Sequence, residues 1–126
     1  IQRSLLMQKM IVKKPWGTYE VLLDEPNYKV KRIVVHPYER FSLQYHKHRE
    51  EHWVVVEGDG IVQVNEKEYP AYVRTHWVIL PTQKHRATAG PNGLIFIETQ
   101  TGDCYEEDIV RLEDDYGRLD SSEVSV

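Results

Sequence analysis

The 126-residue sequence has little cysteine, no long apolar segment and no excess of basic charge. Its single cysteine, Cys104, cannot form an intramolecular disulfide, which is typical of proteins from a reducing cytosol. No segment approaches the roughly 18 consecutive apolar residues that a transmembrane helix requires. The formal net charge of -4 is opposite in sign to the basic excess of a nucleic-acid-binding surface. We therefore expect a cytoplasmic protein that has neither a membrane nor a nucleic acid as its partner.

The length is sufficient for one domain with its own hydrophobic core. The first ten residues do not combine a charged region with a following apolar region, so they do not resemble a secretory signal. The chain also begins with Ile1 rather than Met. We interpret 1–10 as an N-terminal leader, either a cloning remnant or a truncated start, with Met7 or Met10 as the candidate native start. Residues 11–126 are expected to form a single domain.

Short apolar and β-branched segments alternate with turn residues from Tyr28 onward. Residues 51–56 contain three consecutive valines, which predicts a strand that is buried on both faces. The Glu-Gly-Asp-Gly sequence at 57–60 then predicts a hairpin turn. Strands at a spacing of roughly 8–12 residues favour an all-β sandwich or barrel. Only 106–116 is typical of a short helix, which Gly117 would end.

A group of potential metal ligands lies in the middle of the chain. Gln44 and His46 are two residues apart in a predicted strand, so their side chains share one face. Glu51 begins the next strand on the side that Trp53 shares. An imidazole, a carboxylate and an amide oxygen together suit a borderline or hard divalent cation. Two alternatives remain, namely a His46 and His48 pair, which leaves only two residues before Glu51, and surface histidines beside a turn.

The spacing of this group resembles the first motif of the cupins, which are jelly-roll β-barrels. From Tyr38 to Gly58 the sequence has a turn residue, five residues, two ligands one apart, four residues, Glu, six residues and Gly. The resemblance implies an all-β fold, a cupin-type jelly-roll β-barrel with a short C-terminal helical segment. A second cupin motif brings another histidine to the metal, which implies that His85 is the fourth ligand. Its usual Pro-x-Gly-x-x-His pattern is changed here, because the glycine is missing and the spacing is one residue shorter.

A narrower resemblance rests on four further segments that occur in the same order as in one family. The segments are 14–20, 28–33, 42–56 and 107–118. Together they resemble the type II mannose-6-phosphate isomerases, in which this domain often follows a mannose-1-phosphate guanylyltransferase domain. The sequence departs from that family at two positions, because Tyr38 replaces a usual Gly and Asp115 replaces a usual Arg.

The family resemblance implies that the domain interconverts mannose 6-phosphate and fructose 6-phosphate. This reaction moves a proton between C1 and C2 of the sugar through a cis-enediol. It implies one divalent metal ion that stabilises the developing negative charge, with Zn as the first choice and Mn, Fe, Co, Ni and Mg as alternatives. A base must lie within hydrogen-bond reach of the proton at C2. Glu98 and Lys31 are the candidate catalytic residues because both are expected to face inward, and a solvated charge on a strand face is the alternative for each.

The substrate phosphate requires arginine or lysine side chains. We choose Arg49 and Arg118 as the phosphate-binding residues because both lie in motifs that match the family. The other basic candidates are Lys84, Arg86 and Arg111, and an ordinary surface charge is the alternative for all five.

We further expect a homodimer. Tyr19, Val21 and Leu22 form an apolar segment without an obvious partner nearby, and small barrels often cover edge strands by pairing with a second copy.

Two rival functions remain open. The first is a non-catalytic or differently specialised cupin that holds a metal and binds a sugar or another small metabolite. The altered motif before His85 and the acidic residue at Asp115 favour this interpretation. A metal-dependent dioxygenase is the second rival, against which the Gln44 ligand and the isomerase-like segments argue.

Overall fold

The computed structural model describes residues 10–119, which form nine β-strands. They are β1 (Met10–Lys14), β2 (Gly17–Asp24), β3 (Tyr28–Val35), β4 (Leu43–Tyr45), β5 (Arg49–Val64), β6 (Lys67–Tyr72), β7 (His76–Ile79), β8 (His85–Gly102) and β9 (Val110–Glu113). The all-β prediction is therefore confirmed. Within the described part of the chain, no helix is long and apolar enough to span a membrane.

The prediction of a short C-terminal helix at 106–116 is wrong. The chain forms turns up to residue 109 and then the strand β9. β9 pairs with β4, where Gln44 lies opposite Arg111 and Tyr45 lies opposite Val110. The open edge of β4 needs backbone hydrogen-bond partners, and this pairing outweighs the local helical pattern.

The strands form one continuous sheet that curls because its longest strands have several partners. The order is β1-β2-β3-β8-β4-β9, and β5 also pairs with β6, β7 and β8. The enclosed core is aromatic, with the rings of Trp53 and Phe96 centred 4.4 Å apart and those of Trp16 and Phe41 centred 5.3 Å apart. Contacts of this kind stabilise the core beyond the area they bury. The candidate site borders this aromatic core.

The strand β5 differs from its prediction in two ways. It is not buried on both faces, because Val55 is 1% exposed whereas Val54 is 45% exposed. Nor does the chain turn back at 57–60, since β5 continues to Val64 with register shifts against β8. A Cβ atom on Gly58 would lie 2.1 Å from the carbonyl oxygen of Gly93, and one on Gly60 would lie 2.0 Å from that of Thr88. These glycines therefore permit close strand packing rather than a hairpin.

The strand β2 has backbone partners on both sides, whereas β1 pairs only with β2 and forms the edge of the sheet. Tyr19 lies opposite Val12 of β1 and Ile33 of β3, so the segment proposed as a dimer surface is not an unpaired strand. The expected homodimer stays a prediction. The domain boundary expected at residue 11 falls inside β1, and the remainder of the leader, 1–9, lies outside the described residues together with 120–126.

Candidate metal centre and the cavity beside it

Three of the four predicted metal ligands lie together in the core. His46 follows β4, Glu51 is in β5, and His85 begins β8. All three are buried, and one ligand atom from each lies within 4.8 Å of the other two. β8 pairs with both other strands, because His85 lies opposite Gln44 of β4 and opposite Val64 of β5. The sheet therefore brings residues that are distant in sequence to one point.

Both histidines are held in the tautomer that a metal ligand requires. The Nδ1 atom of His46 donates a hydrogen bond to the carbonyl oxygen of Asp108, and that of His85 donates to the carbonyl oxygen of Gln83 at 2.9 Å. The Nε2 atoms of His46 and His85 lie 3.3 Å and 3.7 Å from the two carboxylate oxygens of Glu51. Such backbone hydrogen bonds orient metal-binding imidazoles.

The donor set fits a divalent metal ion. The Nε2 atom of His85 is buried and has no hydrogen-bond partner among the described residues, so its lone pair is available to an ion. Burial, followed by the positive charge of Arg49, lowers the pKa of His46 to about 3, so this imidazole is neutral at physiological pH. Two imidazoles and a carboxylate are a common set of protein ligands for Zn and related ions.

Gln44 stands beside this cluster with its amide oxygen engaged elsewhere. Its Oε1 atom accepts a hydrogen bond of 2.6 Å from the hydroxyl of Ser42, while its Nε2 atom lies 3.4 Å from Nε2 of His46. The amide oxygen therefore has a protein partner in this structure, and its role as a ligand stays a prediction. His48, which belonged to the alternative ligand pair, is exposed and lies beside the ring of Tyr105.

Arg49 lies at the metal centre, although the sequence suggested a role in phosphate binding. Its Nε atom donates to Oε2 of Glu51 and one Nη atom donates to Nε2 of His46, both at 2.9 Å. The side chain is 6% exposed. It therefore neutralises Glu51 and takes up the His46 lone pair that an ion would use. A metal ion at this position requires Arg49 to withdraw from His46.

Asp108 positions part of the metal centre, and the sequence reasoning missed it. Its carboxylate accepts hydrogen bonds of 2.9 Å from the backbone N–H groups of Lys47 and His48, while its carbonyl holds His46. Burial opposes ionisation, but the two donors hold the pKa of Asp108 below its usual value. The only signal for this residue was its position in the family-like segment 107–118.

A cavity of about 150 Å³ opens next to the metal centre. Gln44 and Arg49 form the part of its wall nearest the ligands, and the aromatic rings of Trp16, Trp53 and Phe96 form an apolar part. Both predicted catalytic residues and both predicted phosphate-binding arginines line it as well. The cavity is suitable for one small molecule beside the metal ligands.

Glu98 and Lys31 face each other across β8 and β3 but differ in their electrostatic state. Glu98 is 6% exposed, and burial together with the negative charge of Glu51 raises its pKa to about 7. The Nζ atom of Lys31 lies 2.6 Å from the carboxylate of Glu106 and 4.1 Å from the ring centre of Tyr19. The raised pKa makes Glu98 a group that can change protonation near neutral pH.

The basic candidates divide into those at the cavity and those outside it. Arg111 and Arg118 line the cavity, and Arg118 forms two hydrogen bonds of 2.9 Å and 3.0 Å with Asp114. Lys84 instead pairs with Glu66, and Arg86 bonds the carbonyl of Phe41 and Glu113.

The acidic residue at position 115 does not affect the cavity directly. Asp115 pairs with Arg40 through hydrogen bonds of 2.7 Å and 2.8 Å, and neither residue is part of the cavity wall. The departure from the family pattern at this position therefore places no additional negative charge in the site.

Comparison with solved structures shows the same architecture in proteins of low sequence identity. A Streptomyces PAC13 structure with uridine has a TM-score of 0.73 at 17% identity, and the match covers 84% of this chain and 86% of that one. An RmlC-like cupin from Shewanella frigidimarina has a TM-score of 0.71 at 22% identity, with 79% of this chain and 88% of that one covered. The fold is therefore that of a cupin.

Sequence comparison gives a narrower result. The family model described as Mannose-6-phosphate isomerase C-terminal matches residues 2–114. A mannose-1-phosphate guanylyltransferase of Klebsiella pneumoniae is 36% identical over 120 residues, and the alginate biosynthesis protein AlgA of Pseudomonas aeruginosa is 41% identical over 118. The matches cover 93% and 92% of this chain but only 25% and 24% of those proteins, so the chain spans about a quarter of their length. Since the family model extends over most of the sequence, this chain belongs to the family of mannose-6-phosphate isomerase C-terminal domains.

Proposed function

We propose that this domain is a metal-dependent isomerase that interconverts mannose 6-phosphate and fructose 6-phosphate. The observation that carries the proposal is a buried carboxyl group, Glu98, in the same cavity wall as Gln44 and Arg49, which adjoin the predicted metal ligands. The family description supports the choice of substrate. The guanylyltransferase relatives exceed this chain in length, and their nucleotidyl transfer is not part of the proposal.

His46, Glu51 and His85 would hold the metal ion, with Gln44 beside them. When bound, the ion supplies positive charge that favours negative charge on sugar oxygens next to the reacting carbons. The protein holds these ligands before an ion arrives, because the carbonyls of Asp108 and Gln83 already fix both imidazoles. Hydrogen bonds of this kind set the orientation of a ligand and raise its basicity.

Glu98 is the residue best suited to move the proton between C1 and C2. A base with a pKa near the working pH can both remove and return a proton. In the metal-free protein, burial and the negative charge of Glu51 raise the pKa of Glu98 to about 7, and a cation bound by Glu51 would lower it from there. Gln100 donates a hydrogen bond of 2.5 Å to one oxygen of Glu98, which orients the carboxyl group and leaves the other oxygen for the substrate.

Lys31 has a different part in this proposal. It lies directly opposite Glu98, and its ammonium group is bound by Glu106 and the ring of Tyr19. A fixed positive charge beside the cavity favours the ionised form of Glu98 and can donate a hydrogen bond to a sugar hydroxyl. Lys31 is therefore assigned to positioning and electrostatics, and Glu98 to proton transfer.

The direct test is the formation of fructose 6-phosphate from mannose 6-phosphate in a coupled assay. The protein is first treated with a chelator and then reloaded separately with Zn, Mn, Co and Mg. We expect activity with at least one ion, its loss on renewed chelation, and its loss in Glu98→Gln at unchanged metal content. No turnover with any of these ions, in protein that is folded by circular dichroism, would overturn the proposal.

A non-catalytic metal-binding cupin is the second candidate, and one observation favours it. The guanidinium of Arg49 occupies the His46 lone pair, so an ion and this hydrogen bond compete for the same atom. The weaker metal binding that results would limit a metal-dependent reaction more than it would limit the binding of a sugar. If the reloaded protein binds one ion per chain and mannose 6-phosphate but gives no product, this second function is the correct one. Metal content by elemental analysis and sugar binding by calorimetry provide these two measurements.

A further inference from the structure

Arg49 donates its hydrogen bonds to the atoms that a metal ion at the centre would use. Its Nε atom bonds Oε2 of Glu51 and one Nη atom bonds Nε2 of His46, both at 2.9 Å. We infer that Arg49 is a built-in, displaceable cation, which balances the charge of the ligand cluster and sets its affinity for a divalent ion. The inference rests on the metal centre of the proposed function, but it is independent of the isomerase reaction.

A second buried arginine shows how this fold holds an arginine that serves the structure alone. Arg86 is 4% exposed, and its Nε atom donates a hydrogen bond of 2.9 Å to the backbone carbonyl oxygen of Phe41. Arg49 is buried to a similar degree, yet its hydrogen bonds go to the side chains of Glu51 and His46. Carboxylates and imidazoles are typical metal donors in proteins. Arg49 therefore holds the atoms for which an ion would compete, and Arg86 does not.

Other contacts orient the metal ligands without the help of Arg49. The Oε1 atom of Glu51 accepts a hydrogen bond of 2.9 Å from the indole N–H of Trp53. Both histidine ligands are bound at Nδ1 by backbone carbonyl groups. Partners of this kind fix a ligand and favour metal binding. Since they remain when the guanidinium moves away, the main effects of Arg49 on an ion are competition and repulsion between like charges.

The guanidinium of Arg49 is incompletely bound where it lies. Its Nη1 atom is buried and makes no hydrogen bond to any residue within 10–119. Arg49 also lines the cavity, together with the carboxylates of Glu98 and Glu106. Burial lowers the pKa of Arg49, but the negative charges of Glu51, Glu98 and Glu106 outweigh burial and raise it. Two of these carboxylates therefore remain as nearby counter-charges when the guanidinium withdraws from Glu51.

A displaceable cation and a supporting residue have opposite effects on metal affinity. An arginine that only supports Glu51 strengthens metal binding, and removal of such a residue typically weakens it by about 10–100-fold. Removal of a displaceable cation ends both the competition for donor atoms and the charge repulsion, so an ion binds more tightly. Because two charge-assisted hydrogen bonds no longer have to be broken, we expect an increase in affinity of about tenfold or more.

The test measures the affinity of Zn for the wild type and for Arg49→Met, in which an unbranched apolar side chain replaces the guanidinium. Competition with a chromophoric chelator gives both dissociation constants, and we expect the variant to bind Zn about tenfold or more tightly. Without Zn, the urea midpoint of the variant should be lower, because the buried Glu51 has lost its counter-charge. Zn should then raise the midpoint of the variant more than that of the wild type.

Two further variants separate this effect from a general loss of structure. Arg86→Gln is the matched control, because it also removes a buried arginine, and it should lower the urea midpoint without changing Zn affinity. Arg49→Lys keeps the positive charge but loses the planar fork, so its Zn affinity should lie between those of the wild type and Arg49→Met. This variant decides the question if Arg49→Met does not fold without Zn. Zn affinity equal to or below that of the wild type in either Arg49 variant would overturn the inference, as would the absence of Zn binding from all of them.

The isomerase assay separates this inference from the proposed function. Tighter Zn binding by Arg49→Met, combined with a wild type that forms no fructose 6-phosphate with any ion, would support the inference and overturn the function. Isomerase activity of the metal-loaded wild type, combined with weaker Zn binding by Arg49→Met, would overturn the inference and leave the function intact.

Discussion

Three basic residues, Lys14, Arg111 and Arg118, line the cavity beside the metal centre, and we call them the cation group. The metal centre and the cation group border the same cavity but are built in opposite ways. At the metal centre the carboxylate of Glu51 accepts hydrogen bonds from Arg49 and from the indole N–H of Trp53, and backbone carbonyls fix the histidines. In the cation group, Lys14 and Arg111 meet without carboxylate partners in the described chain. The protein alone therefore holds the first region in place, whereas the second lacks its counter-charge.

This difference has a consequence for stability. Removing one charge from a buried ion pair leaves its partner unpaired, which is strongly unfavourable. Removing a charge from a group of like charges instead relieves repulsion. Neutral substitutions in the two regions should thus change the free energy of unfolding in opposite directions.

The largest effect is expected for Glu51→Gln at the metal centre. The substitution leaves the buried Arg49 without its carboxylate, so we expect a loss of about 3 kcal/mol in metal-free protein, measured by urea unfolding with chelator. It also removes a ligand, and metal affinity should fall on the order of a hundredfold or more. Glu50→Gln is the matched control, because Glu50 is the preceding residue and pairs with the exposed His52. Equal stability of the two variants would show that the network at Glu51 does not hold the centre.

The next effect is expected for Glu98→Gln, which should lower activity without lowering the stability of the protein. Activity should fall by about 10²–10⁴-fold while metal content is retained, because proton transfer by a positioned base contributes that much. The folded-state pKa of Glu98, about 7, is above its unfolded value of 4.5, so folding favours the protonated acid. The stability from this group is full below about pH 4.5 and is lost as the pH rises through 7.

Glu98→Gln should therefore be more stable than the wild type above pH 7, by up to about 3 kcal/mol, and equal to it in acid. Metal-free protein and urea titrations at several pH values provide this measurement. A constant stability difference across the pH range would mean that Glu98 does not titrate in the cavity. The kcat/KM of the loaded wild type should rise with pH as Glu98 loses its proton.

The sequence was sufficient to predict the fold class and to propose the ligand set. The short strands and the spacing from Tyr38 to Gly58 indicate a cupin, and His46, Glu51 and His85 do lie together. The altered motif before His85 did not displace this residue. Thr82 adopts a left-handed φ of 72°, and its N–H bonds the carbonyl of His46 at 2.7 Å, so a residue other than glycine forms the shortened turn.

What the sequence did not reveal depends on contacts between distant segments. Residues 57–60 have the composition of a hairpin turn. Only the close approach of β8 shows that their glycines permit strand packing instead. The motif assigned Arg49 to phosphate, and this role stays a prediction, but the sequence did not reveal that its Nε atom donates a hydrogen bond to Glu51 two residues later. Lys14 and Arg111 are separated by almost the whole domain in sequence, and only the curled sheet places both at the cavity.

A smaller effect is expected at Tyr38, where the turn before the metal centre departs from the family's glycine. Tyr38 has a φ of 65° and is 74% exposed, so the ring contributes little packing while the backbone is strained. Relief of a left-handed conformation is worth about 1–2 kcal/mol, and the greater freedom of glycine in the unfolded chain offsets part of this. We expect Tyr38→Gly to stabilise the protein by about 0.5–1 kcal/mol in thermal unfolding. Tyr38→Ala removes the same ring without relieving the strain, so stabilisation by both variants would contradict this explanation.

The smallest effect is expected for Lys14→Gln, which tests directly whether the cation group and the metal centre differ in charge pairing. Lys14 is repelled by Arg111 and Arg118, so Lys14→Gln should stabilise the phosphate-free protein, in contrast to Glu51→Gln. The gain should be about 0.5 kcal/mol, because Lys14 is only partly buried and water screens the repulsion. Salt should reduce the gain, because it screens the repulsion between the cations. Urea unfolding of both proteins at low and high salt measures both changes, with Lys67→Gln as the control, because Lys67 is exposed on β6 and does not line the cavity. A loss of stability in Lys14→Gln would mean that the charges of the cation group are paired like those of the metal centre.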